Sequence, residues 1–203
     1  SSGQVLQSPY TFSKARVVVQ EMAEGAALDL LDKHLLTDQI VLDVGYDIES
    51  LKDEDIRCLY HGETQTDHYG RVVPKSAHGS ANLGAPVSSS SLIKQAVANL
   101  FDRIANPVLL VRRLTLITNN VVPEQELEQR RKAPRQLNLF EDGIGAQEEK
   151  AQQENLLERE RKVQQAVLNI KKMFGKNAIL KGVNFDEGAT AIERNSQIGG
   201  HKA

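Results

Sequence analysis

Hydrophobic positions divide the chain into a patterned first part and a polar second part. From Ser13 to about Lys33, apolar residues fall at Ala15, Val18, Val19, Met22, Ala23, Ala26 and Leu30. Spacings of three and four draw one stripe along a helix, with Ser13 as its expected N-cap. The next stretch alternates: Ile40, Leu42, Val44 and Tyr46 take one face, and Gln39, Val41, Asp43 and Gly45 the other. A period of two predicts a half-buried strand. Residues 47–70 are acidic and polar, with Gly62 and Gly70 as turn signals, and read as a loop or long hairpin connection. A second strand is expected over 70–77, where Pro74 favours an edge or a bulge. Ser88 to Ser91 then supply N-caps for a second helix striped by Ile93, Ala96, Val97, Leu100, Phe101 and Ile104, which Asn106-Pro107 stops. Val108 to Thr118 is a β-prone strand broken by Arg112 and Arg113, and Gly3 to Phe12 adds a short strand at the start.

The order β-α-β-β-α-β predicts an α+β fold over 1–118: a β-sheet with two helices packed on one face and the other face in water. After Asn119 the composition turns to Gln, Glu and Arg, so 119–147 reads as a flexible linker. From about Glu148 to Phe174 a helix is expected, striped by Leu156, Val163, Val167, Ile170 and Phe174. Such a stripe suits self-association or an accessory protein. Residues 176–182 read as a short extended piece, and the polar 193–203 as lacking fixed structure in isolation.

Charge and cysteine content narrow the function classes. The formal net charge is -2, so any anion-binding surface must be a local arrangement of cations. The single cysteine, Cys58, excludes an intrachain disulfide and fits a reducing cytoplasmic setting. No apolar run approaches the roughly 20 residues needed to span a bilayer, so no membrane partner is expected. Enzyme chemistry is sparse. There is no phosphate-cradling Gly loop. The trio His61, Asp67 and His68 reads better as a solvated hairpin than as a metal site, and Asp53-Glu54-Asp55 as a solvated charge run. Cys58 lies in an acidic neighbourhood that does not favour a thiolate. The chain is read as not itself an enzyme.

Chemistry suited to anions is present. Arg71, Lys75, Ser76, His78 and Ser80, with backbone N–H groups near Gly79, gather near one strand and the turn after it, and such donors are usual partners of phosphate oxygens. Arg112 and Arg113 point to opposite faces of the last strand. One reaches the open sheet face; the other lies along an edge or pairs with an acid. Charge alone favours ordinary surface cations satisfying Asp and Glu.

Several runs carry a resemblance: "VLDVGYD", "YGRVVPKSAHGSANL", "SSSSLIKQAVANLFDRI" and "VLLVRRLTL", preceded by "SSGQVLQSPYTF" and followed by "GKNAILKG", "GATAIERN" and "IGGHKA". Together they resemble the little-finger domain and tail of a Y-family translesion DNA polymerase. The closer likeness is to the bacterial ImpB/MucB/SamB UV-damage-repair branch, relatives of the catalytic subunit of DNA polymerase V. The resemblance implies a four-stranded sheet whose open face grips primer–template DNA. It assigns phosphate contacts to Lys75, Ser76, His78, Gly79 and Ser80 through "PKSAHGS", and to Arg112 and Arg113 through "RR". Asp43 on the DNA-facing side and Gly25 within the first helix depart from the family pattern. The resemblance also implies magnesium held by palm carboxylates in the parent polymerase. Nothing in this chain matches a palm, and the sequence opens Ser1-Ser2-Gly3 without an initiator methionine. A C-terminal fragment with no cofactor of its own is therefore expected.

The linker contains Gln136-Leu137-Asn138-Leu139-Phe140, which resembles the peptide that bacterial polymerases use to bind the sliding clamp. Leu137, Leu139 and Phe140 would supply apolar anchors and Gln136 an orienting amide. Each anchor would contribute roughly 1.5–3 kcal/mol before ordering costs, compatible with micromolar binding at about -8 kcal/mol. The alternative places these side chains against the chain's own sheet domain. For the chain as a whole, the alternative is a protein-interaction scaffold with a dimerising or partner-binding C-terminal helix.

Overall fold

Ala15, Val18, Val19, Met22, Ala23, Ala27, Leu30 and Leu31 are all buried on one side of helix α1, Phe12–Asp32. In the computed structural model, which describes residues 1–127, 144–198 and 201–202, this helix runs through Gly25 without a break. Its N-cap is Thr11, which makes no side-chain cap bond, rather than Ser13. Strand β1, Ser2–Tyr10, precedes it and β2, Leu35–Tyr46, follows, entered through His34 in the left-handed region at φ 54°.

Residues 47–74 form an ordered arm instead of a loop. Short helices α2 (Glu49–Lys52) and α3 (Glu54–Leu59) lead into a hairpin of β3 (Thr64–Thr66) and β4 (Val72–Pro74). Asp53 caps α3 by accepting from the N–H groups of Asp55 and Ile56, and Glu54 and Asp55 stand in its first turn. The acidic run is thus a helix start, where carboxylates suit exposed N–H groups.

The expected second sheet strand is displaced. Val72–Pro74 pairs only within the arm, and the sheet strand is β5, Ala77–Val87. Pro74 explains the break, because proline cannot donate to a ladder. Ser89 caps helix α4, Ser90–Ile104, accepting from the Leu92 N–H, and β6, Val111–Asn119, closes the unit. The sheet order is β1-β6-β2-β5, every pair antiparallel, with β7 (Val122–Pro123) joined to the start of β2. The fold is mixed α+β. Ile40, Leu42, Val44, Leu114 and Leu116 join the α1 and α4 stripes in one core, with the Phe12 and Phe101 rings 4.8 Å apart.

The C-terminal part adds a third layer on the helix side. Helix α5, Ile144–Phe174, is followed by a 3₁₀ turn at Gly182–Phe185, helix α6 (Ala191–Asn195) and a pair of two-residue strands, β8 (Gln197–Ile198) and β9 (His201–Lys202). No extended piece forms over 176–182. The docking face of α5 differs from its apolar stripe. Gln164 and Leu168 are buried, whereas Leu156, Val163 and Phe174 are 65%, 63% and 72% exposed. Glu160 accepts from the Ser91 N–H (2.7 Å) and from the hydroxyls of Ser89 (2.6 Å) and Ser91 (2.7 Å). Gln164 donates to the Ser88 carbonyl and the Ser90 hydroxyl, Arg161 pairs with Glu124, and Lys172 with Asp32.

A buried acid fastens the tail beyond α5. Glu21, 3% exposed, accepts from Asn184 Nδ2 (2.8 Å) and from the N–H groups of Thr190 (2.8 Å) and Ala191 (3.0 Å). Arg194 donates to Gln4 Oε1 at 2.7 Å, and burial pulls its pKa down against the attraction of Glu21. No described helix is long and apolar enough to cross a membrane.

Candidate nucleic-acid interface

Alternation along the strands sets the composition of the face opposite the helices. β5 alternates half-buried Ala77, Gly79 and Ala81 with exposed His78, Ser80 and Asn82. Cross-strand register arranges the outward residues in rows: Asn82, Gln39 and Asn119; Ser80, Val41 and Ile117; His78, Asp43 and Thr115; and finally Gly45, Arg113 and Val5. The first row is a lateral amide network. Gln39 Nε2 donates to Asn82 Oδ1 (3.1 Å), and Asn119 Nδ2 donates to Gln39 Oε1 (3.2 Å). The face is therefore mixed: neutral donors and acceptors make up half of it, Val41, Ile117 and the exposed Val5 add apolar patches, Asp43 is acidic, and the exposed guanidinium of Arg113 lies toward one end.

Arg112 and Arg113 do not simply alternate. Val111 pairs with Tyr46 and Arg113 with Gly45, so Arg112 sits in a register shift. Arg112 donates to the Gln7 carbonyl at 3.0 Å and reaches Asp47 at 3.5 Å, which makes it the paired member of the two. Gly45 lies directly under Arg113, where a Cβ would come 3.3 Å from the Arg113 Cβ.

Asp43 does occupy the open face. His78 Nδ1 lies 2.5 Å from its Oδ1, so the carboxylate is matched to a ring nitrogen within the same row. Gly79 is placed differently from its neighbours. A Cβ there would meet Ile104 Cγ2 at 2.8 Å, so glycine is what allows β5 to approach α4. Arg103 donates to the Ser80 carbonyl at 2.8 Å. In an antiparallel strand a residue's N–H and C=O point the same way, so Ser80 directs both off the free edge and Gly79 directs both toward β2. The N–H groups available to an external anion are those of His78 and Ser80.

The remaining cations belong to the arm. Lys75 pairs with Glu63 at 2.5 Å, and its hydrogen bond, then its charge, hold that carboxyl below the usual range. Arg71 does the same to Asp67. Gln65 Nε2 donates to the Ser76 hydroxyl at 2.8 Å. Exposed pairs of this kind contribute little to stability because water screens them, so exchanging a carboxylate for a phosphate costs little. His61, Asp67 and His68 do not form a metal cluster, and among the described residues no group of three or more His, Cys, Asp or Glu could hold one. Cys58 is exposed.

Asn82, Asn119 and Thr115 were not singled out by sequence, whereas Gln39 was placed on the polar face of its strand. Asn82 follows once β5 is set to start at Ala77, and Asn119 and Thr115 follow from their register with β2. Gln136, Leu137, Leu139 and Phe140 lie outside the described residues. Comparison with models of known protein families gave no match, and comparison with curated proteins gave none either.

Proposed function

We propose that this chain is the DNA-gripping and clamp-docking part of an error-prone translesion polymerase of the Y family, its sheet unit being the little-finger domain. The observation that carries the reading is the open four-stranded face. It is lined by the amides of Gln39, Asn82 and Asn119, the hydroxyls of Ser80 and Thr115, His78 paired with Asp43, and Arg113, with Arg112 beside it at the start of β6. Such a surface suits backbone contacts, which position a protein on duplex DNA without reading sequence. Nucleotidyl transfer and its magnesium would belong to another part of the polymerase. The peptide Gln136 to Phe140 would tether this part to a sliding clamp and raise its local concentration on DNA.

The test is fluorescence anisotropy with primer–template DNA. Binding should be sequence-independent and weaken as salt rises. Arg113→Ala with Lys75→Ala should weaken it about tenfold or more while lowering the salt slope by roughly 2. Absence of binding at low salt, or an unchanged slope in the double variant, rejects this face.

A second reading draws on the exposed Leu156, Val163, Met173 and Phe174 of α5. These side chains favour a partner helix or a second copy, making the chain an interaction scaffold. Sedimentation that finds a stable dimer, together with no DNA affinity, would select it.

A further inference from the structure

We propose that the tip of the β3–β4 hairpin is a stacking site for an unpaired nucleobase, with Tyr69 as the platform and Arg71 and Lys75 taking the adjoining phosphates. The inference rests on the nucleic-acid reading above and extends it from duplex to the strand that leaves the duplex.

The first argument is that the Tyr69 ring does no packing for the fold. It is 78% exposed, at the end of an arm whose β3 residues are all exposed. Covering such a ring removes apolar surface from water, which favours binding. Nothing in the core benefits from its position.

The second argument is that the tip is held rigid. Asp67 accepts from the N–H groups of Tyr69 (2.9 Å) and Arg71 (2.9 Å), bonds that persist when the Arg71 guanidinium turns from Asp67 to a phosphate. Gly70 takes the left-handed φ of 75° that the turn requires, and its N–H donates to the Asp67 carbonyl at 3.0 Å. With its backbone fixed this way, Tyr69 loses little further freedom when a ligand covers it, which lowers the entropic cost of binding.

The third argument is composition. The Arg71 guanidinium carbon lies over the Tyr69 ring at 5.0 Å from its centroid, and the His68 ring meets that ring edge-on at 5.5 Å, so the ring face away from Arg71 is the one a base would stack on. An aromatic platform with cations beside it is what single-stranded nucleic acid recognition uses, because every base has a π-face and every linkage a phosphate. A peptide or lipid surface would ask for apolar neighbours around the ring, and here they are Asp67, His68 and Arg71.

The fourth argument is location. Asp47 lies within electrostatic reach of Arg71 and pairs with Arg112 at the start of β6. The arm therefore rises from the end of the sheet that carries Arg112 and Arg113.

The experiment uses the full chain and two DNAs of identical duplex length, one blunt and one with a single-stranded template overhang carrying 2-aminopurine beside the junction. The overhang DNA should bind more tightly, and stacking should change the 2-aminopurine fluorescence. Tyr69→Ala should abolish that change and the overhang preference, a loss on the order of tenfold, and leave blunt-duplex binding intact. Tyr69→Phe should retain both. An unchanged preference in Tyr69→Ala overturns the proposal and leaves the duplex reading standing. Equal losses on blunt and overhang DNA also overturn it, since they make Tyr69 a support for the arm. Failure of the unaltered chain to bind either DNA removes the duplex reading, and the proposal with it.

Discussion

Helices α4 and α5 are both amphipathic, yet α4 attaches by its apolar stripe and α5 by a largely polar face around Leu168, with only Val167 and Ile170 of its stripe half-buried. Helix α4 buries Ile93, Val97, Leu100 and Phe101 against the sheet and α1. Helix α5 docks through Glu160, Arg161, Gln164, Leu168 and Lys172, and leaves Leu156 and Val163 outside. The difference comes from what each helix meets. Helix α4 shares with α1 the covering of one sheet face, where apolar burial dominates. Helix α5 meets the N-terminus of α4, whose unpaired N–H groups and serine hydroxyls need acceptors more than methyl groups. An apolar stripe thus identifies an amphipathic helix without saying which of its sides the rest of the chain will claim.

The largest expected effect comes from breaking the α4 side of the contrast. Phe101 is fully buried and stacks near Phe12, so Phe101→Ala should cost about 3–5 kcal/mol of global stability. Urea unfolding followed by circular dichroism measures it. A loss below about 1 kcal/mol would mean that the sheet and helices are not one cooperative core.

Helix α5 should respond locally. Gln164→Ala removes the partner of the buried Ser90 hydroxyl and should cost about 1–3 kcal/mol of docking. Amide exchange should rise along 157–174 and stay unchanged in β2 and β6. Acid should produce the same pattern. Burial acts to raise the Glu160 pKa, but the hydrogen bonds from Ser89 and Ser91 outweigh it and hold the group below its ordinary 4.5. Glu124, bonded to Arg161, is held down as well. A depressed carboxyl stabilises docking above its unfolded pKa and loses that contribution as pH falls through the folded value. Docking of α5 should therefore be intact above pH 4.5 and loosen progressively below it, and Glu160→Gln should shrink this dependence. Exchange that is flat across that window would deny Glu160 the role of latch.

These contrasts account for what was legible beforehand. The strand at 39–46 and the helix at Ser90–Ile104 could be read because one periodic face of each is covered, and burial follows periodicity. Of the arm, the hairpin was one of the two connections read over 47–70, but its helices were not legible: they are too short to show a period, and the arm's order depends on Asp53 and Asp67 bonding to nearby N–H groups. The start of β5 was missed because the β-prone Val72-Val73 drew the strand forward, while the sheet begins after Pro74 among small residues. Of the candidate interface, His78 and Ser80 were readable only as donors of the kind that meet phosphates, and the arginine pair only as one member on the open face, without saying which. The amide row of Gln39, Asn82 and Asn119 was not, since it exists only across three strands in register.

The smallest expected effect sharpens the α5 side. Val163→Ser and Leu156→Ser should change stability by no more than about 0.5 kcal/mol, because both side chains already face solvent. Valine and serine also have similar helix propensities, so the Val163 change should not weaken the helix itself. The measurement is thermal unfolding repeated over a wide range of protein concentration. If the stripe stays bare, variant and parent should melt together at every concentration. A deficit that grows with concentration would instead mean that a second copy covers Leu156 and Val163, because association stabilises by mass action. That outcome would turn the exposed face of α5 from a surplus of its amphipathic pattern into an interface, and the contrast with α4 would become one of partners: its own sheet in one case, another chain in the other.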